Sequence, residues 1–164
     1  MAPLHELIGN VHMHTPYSDG EASHADIARA ARAAGLDFVI ATDHNVLVKG
    51  VEGYYGDDET GQVLLLTGEE IHDRTRLPQC NHMLIFGASR ELTACAKDPQ
   101  QLIDAAEQAG GMSFLAHPHD QPLTAFKEPA IPWQDLGVQR FTGLEIWNYM
   151  STFKGILNQS GRVQ

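Results

Sequence analysis

Two stretches of the chain carry the same pattern of apolar and polar positions. In the first, Ile27, Ala30, Ala31 and Ala34 follow i, i+3, i+4, i+7 spacing, which predicts an amphipathic helix. Ser23 suits the N-cap with Asp26 as its capping-box partner, and Gly35 suits the residue just past the C-cap. The run DFVIA at 37–41 then predicts a short buried strand, with TDHN at its exit. The second stretch starts at Asp98 as cap and Pro99 in the first helical position, with Gln101 completing a box-like pattern. Leu102, Ala105, Ala106 and Ala109 make its apolar stripe, Gly110 and Gly111 end it, and MSFLA at 112–116 predicts another strand, followed by HPH.

Further apolar runs predict strands at 8–13, 63–71, 82–86 and 143–147. Fully apolar strands separated by helices imply an α/β fold whose sheet is mostly parallel and covered on both faces. The segments 46–61 and 121–138 are rich in turn residues and read as loops.

This arrangement gives the polar residues their interest. His12 and His14, Asp43 and His44, Glu69 and Glu70, and His117 and His119 all fall at or just past predicted strand ends. That is where α/β barrels and open α/β sheets place their sites. Residues two apart on a strand point the same way, so His12 and His14 can serve one ion, and Asp19 can fold back over them past the Thr15–Ser18 turn. His44 reads as a ligand, with Asp43 behind it as an orienting carboxylate. Alternation puts Glu70 and His72 on one side and Glu69 on the other. Glu69 therefore reads as a solvated acid and His72 as a surface histidine. His82 lies at the far end of its strand if that strand is parallel, and at the mouth if it is antiparallel. His117 sits at a strand end, the direction of His119 past Pro118 is open, and His24, in the first turn of a helix, reads as solvent-facing.

Composition narrows the chemistry. The 164 residues suffice for one domain, with 43% hydrophobic and 20% charged residues as in ordinary globular proteins. A net charge of −10 argues against a nucleic-acid surface. Cys80 and Cys95 form no framework, and neither a leader nor a ~20-residue apolar span is present, so the expectation is a cytoplasmic protein with no membrane partner. Nine histidines with carboxylates, and no cysteine cluster, suit Zn²⁺, Mn²⁺ or Fe²⁺. No nucleophile elbow, phosphate-cradling loop or dinucleotide fingerprint is found.

NVHMHTPYSDG, ATDHN, LTGEEI, HMLIFG and LAHPH together resemble successive motifs of the polymerase-and-histidinol-phosphatase (PHP) family of metallohydrolases, and GLEIWN resembles its strand before the last helices. The resemblance implies a distorted (β/α)7 TIM-like barrel with two or three divalent ions at the strand C-termini. It implies ligation by His12, His14, Asp19, His44, Glu70, His82 and His117, with Glu70 rather than Glu69 as the bridging acid. No Asp-x-His occurs in these residues, although the family ends with one. The expectation is thus a single domain over 1–164, incomplete at its last strand and helix, whose exposed edges would favour a homo-oligomer.

The implied reaction is hydrolysis of a small phosphoester by a metal-activated hydroxide. Glu70, Asp43 and His119 are the candidate catalytic groups, with Asn45 and Asn148 as further substrate contacts. Lys49, Arg74 and Arg76 are the candidates for gripping a phosphate. Two alternatives stand beside it. One is cleavage of a carbamate, ester or amide, as in a carbaryl-hydrolase-like branch. The other is a metal-binding module without turnover, because the closing ligands are missing.

Overall fold

Ser23 starts the first helix in the way its chemistry dictates. In the computed structural model, which describes residues 4–59 and 61–160, its side chain accepts from the Asp26 backbone N–H. Asp26 bonds back to the Ser23 N–H, completing the capping box. The resulting helix α1 spans His24–Ala33, and Gly35 turns the chain out of it at φ 74°. Strand β1 (Gly9–Met13) precedes α1 and strand β2 (Phe38–His44) follows it. The two strands pair in parallel, Gly9 opposite Phe38 and Met13 opposite Ala41, so this is a βαβ unit.

The buried face of α1 is His24, Ile27, Ala28 and Ala31, not the expected Ile27, Ala30, Ala31 and Ala34. Alanine fits either face of a helix, so a stripe built mostly of alanines does not fix its own phase. That shift is what buries His24, which is 6% exposed and not the solvent-facing residue expected.

The region 46–61 is not all loop. Strand β3 (Gly53–Asp57) folds back on strand β4 (Gly61–Ile71) as an antiparallel hairpin, Gly53 opposite Leu65 and Asp57 opposite Gly61. Gly53 and Gly56 adopt φ of 143° and 110°, so their presence marks strand geometry that looks like turn chemistry in the sequence. Within the first of two compact units, Met1–Glu69, the strand order is β1-β2-β4 with β3 on β4. Its core is Ile27, Ala28, Ala31, Val39, Val63 and Leu65.

The second unit, Glu70–Gln164, has its own core around Ile71, Met83, Ile85, Leu102, Ile103 and Leu115. Helix α2 (Pro99–Gln108) is capped by Asp98, whose carboxylate accepts from the Gln100 and Gln101 N–H groups. It buries Leu102, Ile103, Ala105 and Ala106, each leucine or isoleucine side chain contributing ~1.5–3 kcal/mol of transfer free energy. Strand β5 (Met83–Phe86) runs antiparallel to strand β6 (Met112–Leu115), Met83 opposite Leu115 and Phe86 opposite Met112. Strand β7, expected over 143–147, is only Gly143–Leu144 and lies parallel to β6. Helix α3 (Tyr149–Ser160) follows, with the Asn148 amide oxygen accepting from the Ser151 N–H at its start. The fold is α/β; β1–β2 and β6–β7 pair in parallel, and β3–β4 and β5–β6 pair antiparallel. Cys80 and Cys95 are free thiols. Among the described residues no helix is long and apolar enough to cross a membrane.

Candidate metal centre

The Thr15–Gly20 turn is a tight device with one purpose in view. Ser18 and Gly20 both donate their N–H groups to the Thr15 carbonyl at 3.0 Å. A Cβ at Gly20 would run into the His14 carbonyl, so the turn requires glycine there. Asp43, 1% exposed on β2, holds the turn from below. Its Oδ1 accepts from the Thr15 N–H and the Ser18 hydroxyl, and its Oδ2 from the Thr15 hydroxyl, each at 2.7 Å.

The turn places Asp19 against two imidazoles. His14 Nδ1 lies 2.7 Å from Asp19 Oδ1, and His44 Nε2 lies 3.6 Å from Asp19 Oδ2. The His14 and His44 rings meet edge-on at 4.4 Å, and His12 stacks on His14 at 5.3 Å. One donor atom each from His14, Asp19 and His44 falls within 4.8 Å of the others. Partial burial pushes the Asp19 carboxyl up, but the His14 hydrogen bond and the two imidazole charges outweigh it and hold its pKa below the usual carboxylate range.

In the second unit the antiparallel pairing of β5 with β6 settles the position of His82. Residue 82 precedes β5, so it lies beside the exit of β6, where the Ala116 N–H donates to the His82 carbonyl at 3.0 Å. Trp133, buried, donates its indole N–H to the same carbonyl at 2.8 Å. His117 leaves β6 at φ 29°, a strained left-handed backbone held by the Glu145 carboxylate, which accepts its N–H at 2.7 Å. Glu70 faces both histidines. Its Oε1 lies 2.9 Å from His82 Nδ1 and 2.9 Å from His117 Nε2, and Glu70 and His82 are 1% and 2% exposed.

The chemistry of this group fits a cation. His117 Nδ1 lies 3.2 Å from the Ile131 carbonyl, which can only accept, so Nδ1 carries the proton. Its Nε2 faces the Glu70 carboxylate at 2.9 Å. A carboxylate and an imidazole nitrogen this close in a buried site share a positive charge, which a ring proton or a bound cation supplies. Donors bound to one ion at ~2.1 Å lie ~3 Å apart when they are at right angles around it, which matches these separations. A histidine fixed by a backbone carbonyl through one ring nitrogen, with the other turned toward the site, is the usual arrangement of an imidazole ligand.

Two residues here differ from expectation. Glu69 is fully buried and not solvated. His72 is 6% exposed and stacks on His82 at 4.2 Å, so it is not a surface histidine. Both changes have one cause: β4 is buried on both faces over its last five residues, and alternation then no longer separates inside from outside. His24 packs its ring edge on Tyr17, with Nε2 4.0 Å from Asp43. Of the anticipated phosphate-gripping residues, Arg76 is paired with Asp135 at 2.8 Å and Lys49 is exposed.

His119 is exposed just beyond His117, while Asn45 is buried at φ 56° after β2. Asn148 donates to Glu145 at 3.0 Å. Glu145 was absent from the sequence expectations, although it carries the same signal as the others: an acid at the exit of a short strand. Trp133 and Lys154 gave no such signal.

Asp43→Ala would release the Thr15 and Ser18 contacts together. Removal of such a supporting group typically costs 10–100-fold in metal affinity. The expected result is a weakening of that order in competition with a fluorescent chelator; unchanged affinity would mean that the turn holds its own shape.

A family model for the PHP domain matches residues 10–146. No curated protein matches the chain significantly. Among solved structures, the chain is similar to a protein from Bifidobacterium adolescentis whose assignment as a metal-dependent phosphoesterase rests on prediction. The identity is 18%, the TM-score 0.57, and the match covers 94% of this chain and 84% of that one. It is also similar to a two-domain protein from Bacteroides vulgatus containing a predicted PHP-like metal-dependent phosphoesterase, at 21% identity and TM-score 0.50. There the match covers 94% of this chain and 42% of that one. At these identities the likenesses establish the α/β fold. Neither comparison supports a carbaryl-hydrolase-like branch in particular.

Proposed function

Since this chain belongs to the PHP domain family, we propose that it is a metal-dependent hydrolase of small phosphoesters. The distorted (β/α)7 TIM-like barrel that goes with this family is part of the same proposal. The observation that carries the reading is the Glu70 carboxylate oxygen shared at 2.9 Å by two imidazoles. The solved relatives described as metal-dependent phosphoesterases support it.

In this reading Glu70, His82 and His117 hold one divalent cation, and His14, Asp19 and His44, with His12 stacked alongside, hold another. Bound cations of this kind lower the pKa of water toward ~7 and polarise a phosphoryl oxygen. The chain's own residues supply the rest. Ile131 keeps His117 in the tautomer that presents Nε2. Asp43 acts as a positioning residue, because Thr15 and Ser18 take up its oxygens. His119, exposed beside His117, is available to hydrogen-bond the departing oxygen of the substrate.

The test sets an aryl phosphate against an aryl ester and an aryl carbamate, with Mn²⁺ or Zn²⁺ added. The expected outcome is phosphate release well above cleavage of the other two. Cleavage of the ester or carbamate alone would replace this reading with carbonyl chemistry. Bound metal with no turnover on any of them would leave a non-catalytic metal-binding module.

A further inference from the structure

A cleft of about 200 Å³ opens beside His117 in the second unit. His117, His119, Glu145, Asn148, Ser151 and Thr152 are among the residues that line it. Its lining thus includes the histidine whose Nε2 lies 2.9 Å from Glu70. A phosphoryl group held at those donors would direct its ester substituent into this cleft or past it.

The walls are fixed before anything enters. Lys154, 4% exposed on α3, bonds Asp120 at 3.1 Å and Glu128 at 2.7 Å. Asp120 also accepts from the Ser151 hydroxyl at 2.7 Å and the Ile131 N–H at 3.0 Å. Asn148 ties Glu145 to the start of α3. One network thus locks the helix face that carries Ser151 and Thr152 to the turn that carries His117 and His119.

Charge and size then restrict the occupant. None of the lining residues is lysine or arginine, and two of them, Asp120 and Glu145, are acids. The Lys154 ammonium is turned to Asp120 and Glu128. The two acids are taken up by the His117 N–H, Asn148, Ser151, Ile131 and Lys154, so what the cleft adds is the Thr152 hydroxyl, the Ser151 oxygen as acceptor, the second Asn148 amide proton and the His119 ring. Sites for drug-sized molecules run to ~300–1,000 Å³, so this one suits a single sugar-sized group.

We propose that this cleft is the subsite for the alcohol portion of the substrate, and that it selects an uncharged, hydroxyl-bearing group of about one sugar ring over one carrying a second phosphate. The proposal rests on the phosphoesterase reading, and its test separates the two. Binding of the phosphonate analogue of ribose 5-phosphate to the full Zn²⁺-loaded chain would be followed by saturation-transfer NMR on the ring protons. The phosphonate analogue of ribose 1,5-bisphosphate serves as the charged comparison, and phosphate release from the true esters is measured in parallel. The expected result is strong transfer to the ring protons and binding of the bisphosphate analogue at least about tenfold weaker, as like charges in a recognition site dictate.

Thr152 is exposed, so its side chain can change without disturbing the core. Thr152→Trp should fill the cleft and remove the ring-proton signal. Thr152→Arg should narrow or invert the preference against the bisphosphate, a gain that misfolding cannot produce. Equal or tighter binding of the bisphosphate by the unmodified chain, or ring-proton signals that survive Thr152→Trp, would overturn the proposal. Ring-proton contact without phosphate release would contradict the phosphoesterase reading and leave the cleft assignment standing. Release without ring-proton contact would do the opposite.

Discussion

Glu70→Gln is expected to reduce phosphoester hydrolysis by about 10³-fold or more, the upper end of the loss seen when one preorganised electrostatic group is removed. The amide keeps the volume of the carboxylate, so the packing around Ile71 and Met83 should survive and the unfolding transition should stay cooperative. What changes is charge. His82 Nδ1 and His117 Nε2 both approach Glu70 Oε1 at 2.9 Å. A neutral amide oxygen there binds a divalent cation far less well, and an amide nitrogen repels it. Excess Mn²⁺ should therefore recover only part of the rate. Full activity in the variant would remove Glu70 from the account.

The second large effect concerns stability. Lys154→Met should destabilise the protein by about 3 kcal/mol, the cost typical of leaving a buried charge without its partner. Asp120 is 5% exposed and would keep its carboxylate next to a thioether. Asp120→Asn added to Lys154→Met should cost less than the sum of the two single changes, because the pair acts as a unit. A shift of the urea midpoint worth less than ~0.5 kcal/mol, the range of ordinary surface changes, would contradict this.

The same pair sets a pH dependence. Burial pushes the Asp120 carboxyl up, but bonds from Ser151, Ile131 and Lys154 outweigh it, and its pKa lies below the usual value. Burial pushes Lys154 down, but Glu128 and Asp120 outweigh it, and its pKa lies above the usual value. The Asp120 contribution is thus complete above ~3.9 and lost as pH falls through the lower folded value. The Lys154 contribution is complete below ~10.4 and lost as pH rises through the higher folded value. Stability from this pair should be flat across the neutral range, and the loss at alkaline pH should be absent from Lys154→Met.

Local chemistry made much of this molecule legible in its sequence. Ser23 with Asp26 and Asp98 with Pro99 start their helices through bonds to neighbours two or three residues away, so the signals lie side by side in the chain. Strand exits carrying His14, His44, Glu70 and His117 were equally visible. His82 was not, because its place depends on β5 pairing antiparallel to β6, a choice made by residues about thirty positions apart. His24 was misread because alanines on α1 do not report which face is buried. His72 and Glu69 were misread because β4 is covered on both sides. The β3 hairpin was missed because Gly53 and Gly56, needed for its backbone, also read as turn residues. The resemblance to the PHP family is matched over residues 10–146.

Two groups of donors carry the proposed metal chemistry, His14 with Asp19 and His44, and Glu70 with His82 and His117. Elemental analysis by mass spectrometry, after dialysis against Zn²⁺ or Mn²⁺ and removal of free ion, tests both at once. The prediction is about two or more ions per chain for the unmodified protein, with a distinct loss in His14→Ala and another in Glu70→Ala. The same metal content in all three proteins would contradict it.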